Sequence, residues 1–89
     1  MPQRTLTIQN ELGMHVRPAG LFASEASKYR SKVFISKDDF EVSGKSIMGI
    51  LMLAAGKGST IIIRAEGEDA EEALNSLEDL VVRRKFDED

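Results

Sequence analysis

Every strand-like segment of this sequence has one apolar face and every helix-like segment one apolar stripe, so each must cover its apolar side with another element. Residues 4–9 alternate, with Leu6 and Ile8 on one side. Across 16–29, Ala19, Phe22, Ala23, Ala26 and Tyr29 recur at helical spacing. Residues 32–36 alternate again with Val33 and Ile35 inward. Lys37-Asp38-Asp39 reads as a turn and Phe40 and Val42 as a return strand, so 32–43 is a predicted hairpin. Ser46 stands where it can cap a short helix over 47–55, closed by Gly56-Lys57-Gly58. The β-branched run 60–65 reads as the best strand in the chain. Asp69 and Glu72 resemble a capping box ahead of the stripe Ala70, Ala73, Leu74, Leu77, Leu80 and Val81. Acids in its first turn (Glu71, Glu72) and bases in its last (Arg83, Arg84, Lys85) suit the helix dipole. The order β-α-β-β-α-β-α predicts an α+β fold in two layers, an open-faced sandwich with all helices on one side. Pattern alone does not set the strand order.

Composition narrows what such a domain can do. At 89 residues the chain forms one domain, 1–89, with a modest core. The absence of cysteine excludes disulfides, thiolate metal sites and a cysteine nucleophile. A single histidine, His15, cannot build a multi-histidine metal site, so neither metal nor cofactor is expected. Residues 1–37 carry six Lys/Arg against two Asp/Glu, net +4, whereas 38–89 carry six against thirteen, net −7. The acidic total argues against nucleic acid, yet the histidine lies in the basic part, where a functional anion should sit. The N-terminus has no apolar signal core, and the longest near-apolar run, 47–56, is too short to span a bilayer. A cytoplasmic chain with no membrane partner is expected. The tail Phe86-Asp87-Glu88-Asp89 reads as loose.

The chemistry concentrates in Gly13-Met14-His15-Val16-Arg17-Pro18-Ala19. Proline is tolerated in a first helical turn, so a helix starts here, with His15 at or just before its N-terminus. The helix-start backbone at Val16, Arg17 and Pro18, together with the dipole, forms an anion site, and Arg17 adds a fork suited to phosphate oxygens. A neutral imidazole nitrogen is a nucleophile at pH 7. A lone histidine at a helix start is most often a solvated or capping residue. No stability requirement, however, places His and Arg together in this arrangement. With no obvious general base and no metal cage, the segment reads as a site that accepts and donates a group, its catalytic apparatus supplied by partners. Ser46 by itself reads as an N-cap. Ile47, Met48, Ile50, Leu51, Met52 and Leu53 outnumber what one stripe can bury. Ile47, Met48 and Leu51 are therefore expected to be exposed, on a partner face that also takes Met52, Gly20 and Leu21.

Residues 13–19, Lys45-Ser46-Ile47-Met48-Gly49 and the element order resemble the HPr family, the histidine-containing phosphocarriers of the phosphoenolpyruvate-dependent phosphotransferase system. The resemblance runs from Arg4 to about Val82. It implies a sheet in the order 1-4-2-3 under three helices. It also implies that His15 takes a phosphoryl group from enzyme I as a pros-phosphohistidine, stabilised by Arg17, and passes it to IIA proteins for sugar uptake. Ser46 is then the site of an HPr kinase/phosphorylase, and a monomer is expected. Departures from the family pattern carry expectations of their own. Asp38-Asp39 replaces an Asn-Gly-like turn, so another or longer turn is expected. Ser43-Gly44 should loosen the approach to Ser46. Ala54, where glycine is frequent, should narrow the phosphate pocket. The tail resembles the nitrogen-related branch, which keeps open an alternative: an interaction protein of nitrogen or catabolite regulation that binds a transcriptional regulator. A small nucleic-acid-binding module is disfavoured by the missing aromatics and the net charge.

Overall fold

The computed structural model describes residues 2–88. Its elements are β1 (Gln3–Thr7), α1 (Val16–Ala26), β2 (Lys32–Lys37), β3 (Phe40–Ser43), α2 (Ile47–Met52), β4 (Thr60–Glu66) and α3 (Ala70–Glu78). A π-type turn (Asp79–Arg83) and a short turn (Lys85–Asp87) follow. The four strands form one antiparallel sheet in the order β1-β4-β2-β3, as the resemblance implied.

Register carries the alternation across the sheet. Leu6 faces Ile61, Ile63 faces Ile35, Ala65 faces Val33, and Val42 faces Ile35, so one side of the sheet is apolar throughout. Apart from the half-buried Val42, which packs against it, these residues join Phe22, Ala19 and Ala26 of α1, Ile50 of α2 and Leu74 and Leu77 of α3 in one buried core. The opposite side is polar or half-exposed. There the Arg64 guanidinium lies 4.2 Å from the Phe34 ring centre and pairs with Glu41 at 2.8 Å. At the edge of β1, Arg4 reaches Glu71, Asn75 and Glu78 on α3 at 2.8–3.1 Å and ties strand to helix.

Several ends differ from expectation, each for a local reason. α1 stops at Ala26, because the Lys28 and Tyr29 amides bond three residues back and Ser27 Oγ donates to Ala23 O; Tyr29 is left half-buried. α2 stops at Met52, since Ala54 turns left-handed (φ +51) before the glycines are reached. Glycine would adopt this left-handed angle without steric cost. The Asp38-Asp39 turn is neither longer nor of another kind. Lys37 pairs with Phe40, leaving a two-residue loop with both aspartates at positive φ (51 and 69), the type I′ geometry that short polar side chains tolerate. Gly44 does not loosen its surroundings. It is buried, its amide donates to Val33 O at 2.7 Å, and a β-carbon there would meet Val33 Cγ1 at 2.6 Å.

The capping box does not form. Asp69 makes no side-chain cap; its carboxylate accepts from the Arg30 and Ser31 amides, both at 2.9 Å, and from the Ser31 hydroxyl. Those bonds fasten the chain after α1 to the start of α3. The Ser31 hydroxyl first, then the Arg30 amide, hold the Asp69 carboxyl below its ordinary value of 3.8. A depressed carboxylate contributes stability above its ordinary value and loses it as pH falls through the lowered one. The stability gap between the native chain and Asp69→Asn should therefore be widest near neutrality and close below pH 3.8, measured by urea denaturation across that range. Gly20, mid-α1, has no atom within 4 Å of where a β-carbon would stand. Gly20→Ala should raise stability by about 0.5–1 kcal/mol in thermal melts, the helix-propensity gain for an open site.

Candidate functional site

The turn before α1 sets the site. Gly13 adopts φ +67, and a β-carbon there would lie 2.6 Å from both Ala55 O and Gly56 Cα, so only glycine fits. Met14 N–H donates to Ala55 O at 2.8 Å and His15 N–H to Gly13 O at 2.9 Å. The chain then enters α1 with His15 as N-cap in extended geometry. His15 O accepts from Ala19 N–H at 2.9 Å, while the imidazole makes no cap bond and is left for other partners. The amides of Val16 and Arg17 precede any intrahelical acceptor and bond no acceptor among the described residues, so they can meet an anion. Pro18 has no N–H and is buried; it fixes backbone shape rather than donating.

The tail is not loose. Phe86 is fully buried in the core, and its backbone oxygen accepts from Arg17 Nη1 at 2.8 Å. Arg84 pairs with Asp87 at 2.6 Å across the turn. This turn delivers the Glu88 carboxylate onto the site; Asp89 lies outside the described residues. Glu88 Oε2 is 2.9 Å from His15 Nε2 and 3.3 Å from Arg17 Nη1, and Oε1 accepts from Asn10 Nδ2 at 2.9 Å. Asn10 is 2% exposed and also donates to Gly13 O at 2.8 Å. The Asn10 bond above all, then the His15 bond and the Arg17 charge, hold the Glu88 carboxyl below its ordinary value, so it is ionised at neutral pH. His15 Nδ1 has no hydrogen-bond partner among the described residues. The site thus combines a half-exposed imidazole, a guanidinium whose side chain is 51% exposed and two open amides. No cluster among the described residues could hold a metal ion.

Ser46 caps α2, its Oγ accepting from Gly49 N–H at 3.0 Å; no hydrogen bond joins it to His15 or Arg17. Around it Ile47, Met48 and Met52 are exposed, whereas Leu51 is half-buried against the core instead of exposed. Ile50 and Leu53 take the buried side of so short a helix, which turns Met52 outward and Leu51 partly inward. Gly20 and Leu21 are half-buried on α1, which packs on α2. Leu12 and the Val16 side chain, missed in the pattern, are the other large apolar groups exposed near His15 in sequence. Asn10, Phe86 and Glu88 were missed too. One signal for them stood in the sequence: an aromatic residue inside an acidic tail needs a place to be buried.

Phe86→Ala should destabilise the chain by about 3 kcal/mol in urea denaturation, the usual cost of emptying a buried aromatic site. A change below about 0.5 kcal/mol, normal for a surface position, would mean that the tail is loose after all.

The family model described as "PTS HPr component phosphorylation site" matches residues 2–83. The phosphocarrier protein HPr of Pseudomonas aeruginosa is 45% identical over 89 residues, covering 99% of this chain and 98% of that protein. The HPr-like protein Crh of Halalkalibacterium halodurans is 43% identical over 77 residues, covering 86% of this chain and 92% of its own. The crystal structure of an HPr from Thermoanaerobacter tengcongensis superposes with a TM-score of 0.95 at 44% identity, over 100% of this chain and 99% of that one. With the sheet order, the helix-start histidine and these likenesses together, the chain belongs to the HPr family of phosphocarrier proteins of the phosphotransferase system.

Proposed function

We propose that His15 is the phosphoryl acceptor of this chain, modified at Nδ1 by enzyme I charged from phosphoenolpyruvate, and that it passes the group to IIA proteins that feed sugar uptake. The observation that carries this reading is an imidazole at the N-terminus of α1, beside Arg17, whose Nδ1 has no hydrogen-bond partner among the described residues. The open amides of Val16 and Arg17 and the helix dipole stabilise the dianionic group, and the guanidinium neutralises part of its charge. Because imidazole is both a competent nucleophile and a good leaving group, the phosphoryl group stays transferable. The chain acts in the cytoplasm as one domain and as a monomer, and it needs no cofactor. No helix among the described residues is long and apolar enough to cross a membrane.

The exposed Ile47, Met48 and Met52, with Leu51, Gly20 and Leu21 beside them, form the face on which successive partners dock. Ser46 sits at the start of this helix, where phosphorylation by an HPr kinase/phosphorylase puts negative charge among apolar contacts and weakens docking. The likeness to Crh favours a second reading, a regulatory protein of catabolite or nitrogen control acting on a transcriptional regulator. A chain devoted to Ser46 signalling has no use for a reactive histidine, so His15 favours the carrier.

Incubation with enzyme I and phosphoenolpyruvate should give one acid-labile phosphate, absent in His15→Ala; no uptake by the native chain overturns the carrier reading. Arg17→Glu should slow transfer and leave the domain folded, with a lowered melting temperature because the bonds to Phe86 O and Glu88 are lost. An HPr kinase with ATP should add one acid-stable phosphate, lost in Ser46→Ala.

A further inference from the structure

The tail reaches the site through an unusual backbone. Lys85, Phe86 and Asp87 all have positive φ (50, 57 and 59), a left-handed turn of three residues with β-carbons, which side-chain sterics oppose. Phe86 burial, the Arg84–Asp87 pair and the Arg17 bond to Phe86 O keep it in place. Strain maintained by so many contacts points to what the turn delivers, the Glu88 carboxylate. Both of its oxygens are committed. Oε1 is held by buried Asn10, itself fixed to Gly13 O, and Oε2 meets His15 Nε2 at 2.9 Å and Arg17 Nη1 at 3.3 Å.

An ionised carboxylate only accepts hydrogen bonds, so the proton between Glu88 and His15 belongs to Nε2. In the neutral ring that leaves the lone pair on Nδ1. We propose that Glu88 is a positioning residue for phosphoryl transfer: with Asn10 behind it, its carboxylate holds His15 Nε2–H and so presents Nδ1 as the nucleophile. This rests on the reading of His15 as phosphoryl acceptor.

The step balances without a proton leaving the ring. The Nδ1 lone pair forms the N–P bond as the donor's bond to phosphorus breaks, and the donor departs with that electron pair. The imidazole, still carrying Nε2–H, becomes positively charged. That charge develops beside Glu88, so the hydrogen bond is stronger in the transition state than before it, which accelerates the step rather than only tightening binding. The carboxylate also repels the incoming phosphoryl group. It adjoins Nε2, however, while phosphorus approaches Nδ1 on another side of the ring, and Coulomb energy falls with distance.

The test uses the full chain and its variants Glu88→Ala and Glu88→Gln. Without any partner, nitrogen-15 NMR of the His15 ring in mildly alkaline buffer should show a bare Nδ1 and an Nε2–H proton protected from water exchange. That protection should be lost in Glu88→Ala. In phosphorylation by enzyme I, Glu88→Ala should lower kcat about 10-fold or more, the scale of losing one hydrogen bond to a charged group in the transition state, with KM for enzyme I within about twofold. Glu88→Gln, which keeps an acceptor but not the charge, should fall between. Faster transfer in Glu88→Ala would overturn the proposal, because the carboxylate would then be an occupant that phosphate must displace. Unchanged exchange protection with unchanged kcat would overturn it as well. A native chain that shows the protected Nε2–H yet takes up no phosphate overturns the acceptor reading instead, so the two failures are distinguishable.

Discussion

Two backbone segments meet at Gly13 with no space for a β-carbon between them, and the placement of His15 depends on that approach. On one side is the turn entering α1; on the other are Ala55 and Gly56, just beyond the left-handed Ala54 that ends α2. The entry of one helix and the exit of the other are thus a single contact, closed by the Met14–Ala55 hydrogen bond and by burial of both residues. α2 has six residues, far too few to hold a helix by propensity. It persists because Ile50 and Leu53 are buried and because Ser46 and Ala54 define its ends. The histidine and the serine are consequently carried on one frame without touching each other.

What the sequence made legible was whatever depends on near neighbours. The period-2 runs found the strands, helical spacing found α1 and α3, and Ser46 was placed as a cap from its position before an apolar run. The helix-start histidine with its arginine was legible for the same reason, since dipole, free amides and side chains all lie within one turn. Asp69 shows where this stops. A local bond to its own helix competes with bonds to Arg30 and Ser31, and only the packed chain reveals that the distant partners win. Glu88 is the extreme case, 73 residues from His15, with nothing in a tail of three acids to say which one returns. The Asp38-Asp39 turn departs from expectation for another reason: aspartate tolerates positive φ well enough to close a two-residue hairpin without glycine.

The division of charge along the chain also acquires a physical meaning. Cations of the first part pair with acids of the second, Arg4 with Glu71 and Glu78, and Arg17 with Glu88. Exposed pairs of this kind contribute about 0–1 kcal/mol each, so their effect is less on stability than on which positive charge stays available. The Arg4 guanidinium is spent on Glu71, Glu78 and Asn75, and Lys37 Nζ lies 4.0 Å from Asp38.

Arg17 is the exception, and its geometry lets the tail share one site with the phosphoryl group proposed for His15. A guanidinium has five N–H donors, and both of its bonds here, to Phe86 O and to Glu88, come from Nη1. Nε and Nη2 have no partner among the described residues and remain for phosphate oxygens. On the reading proposed for His15, the tail then need not leave when a phosphoryl group arrives: it engages Nη1 alone, so the Glu88 carboxylate and the remaining donors of the Arg17 fork can act at once.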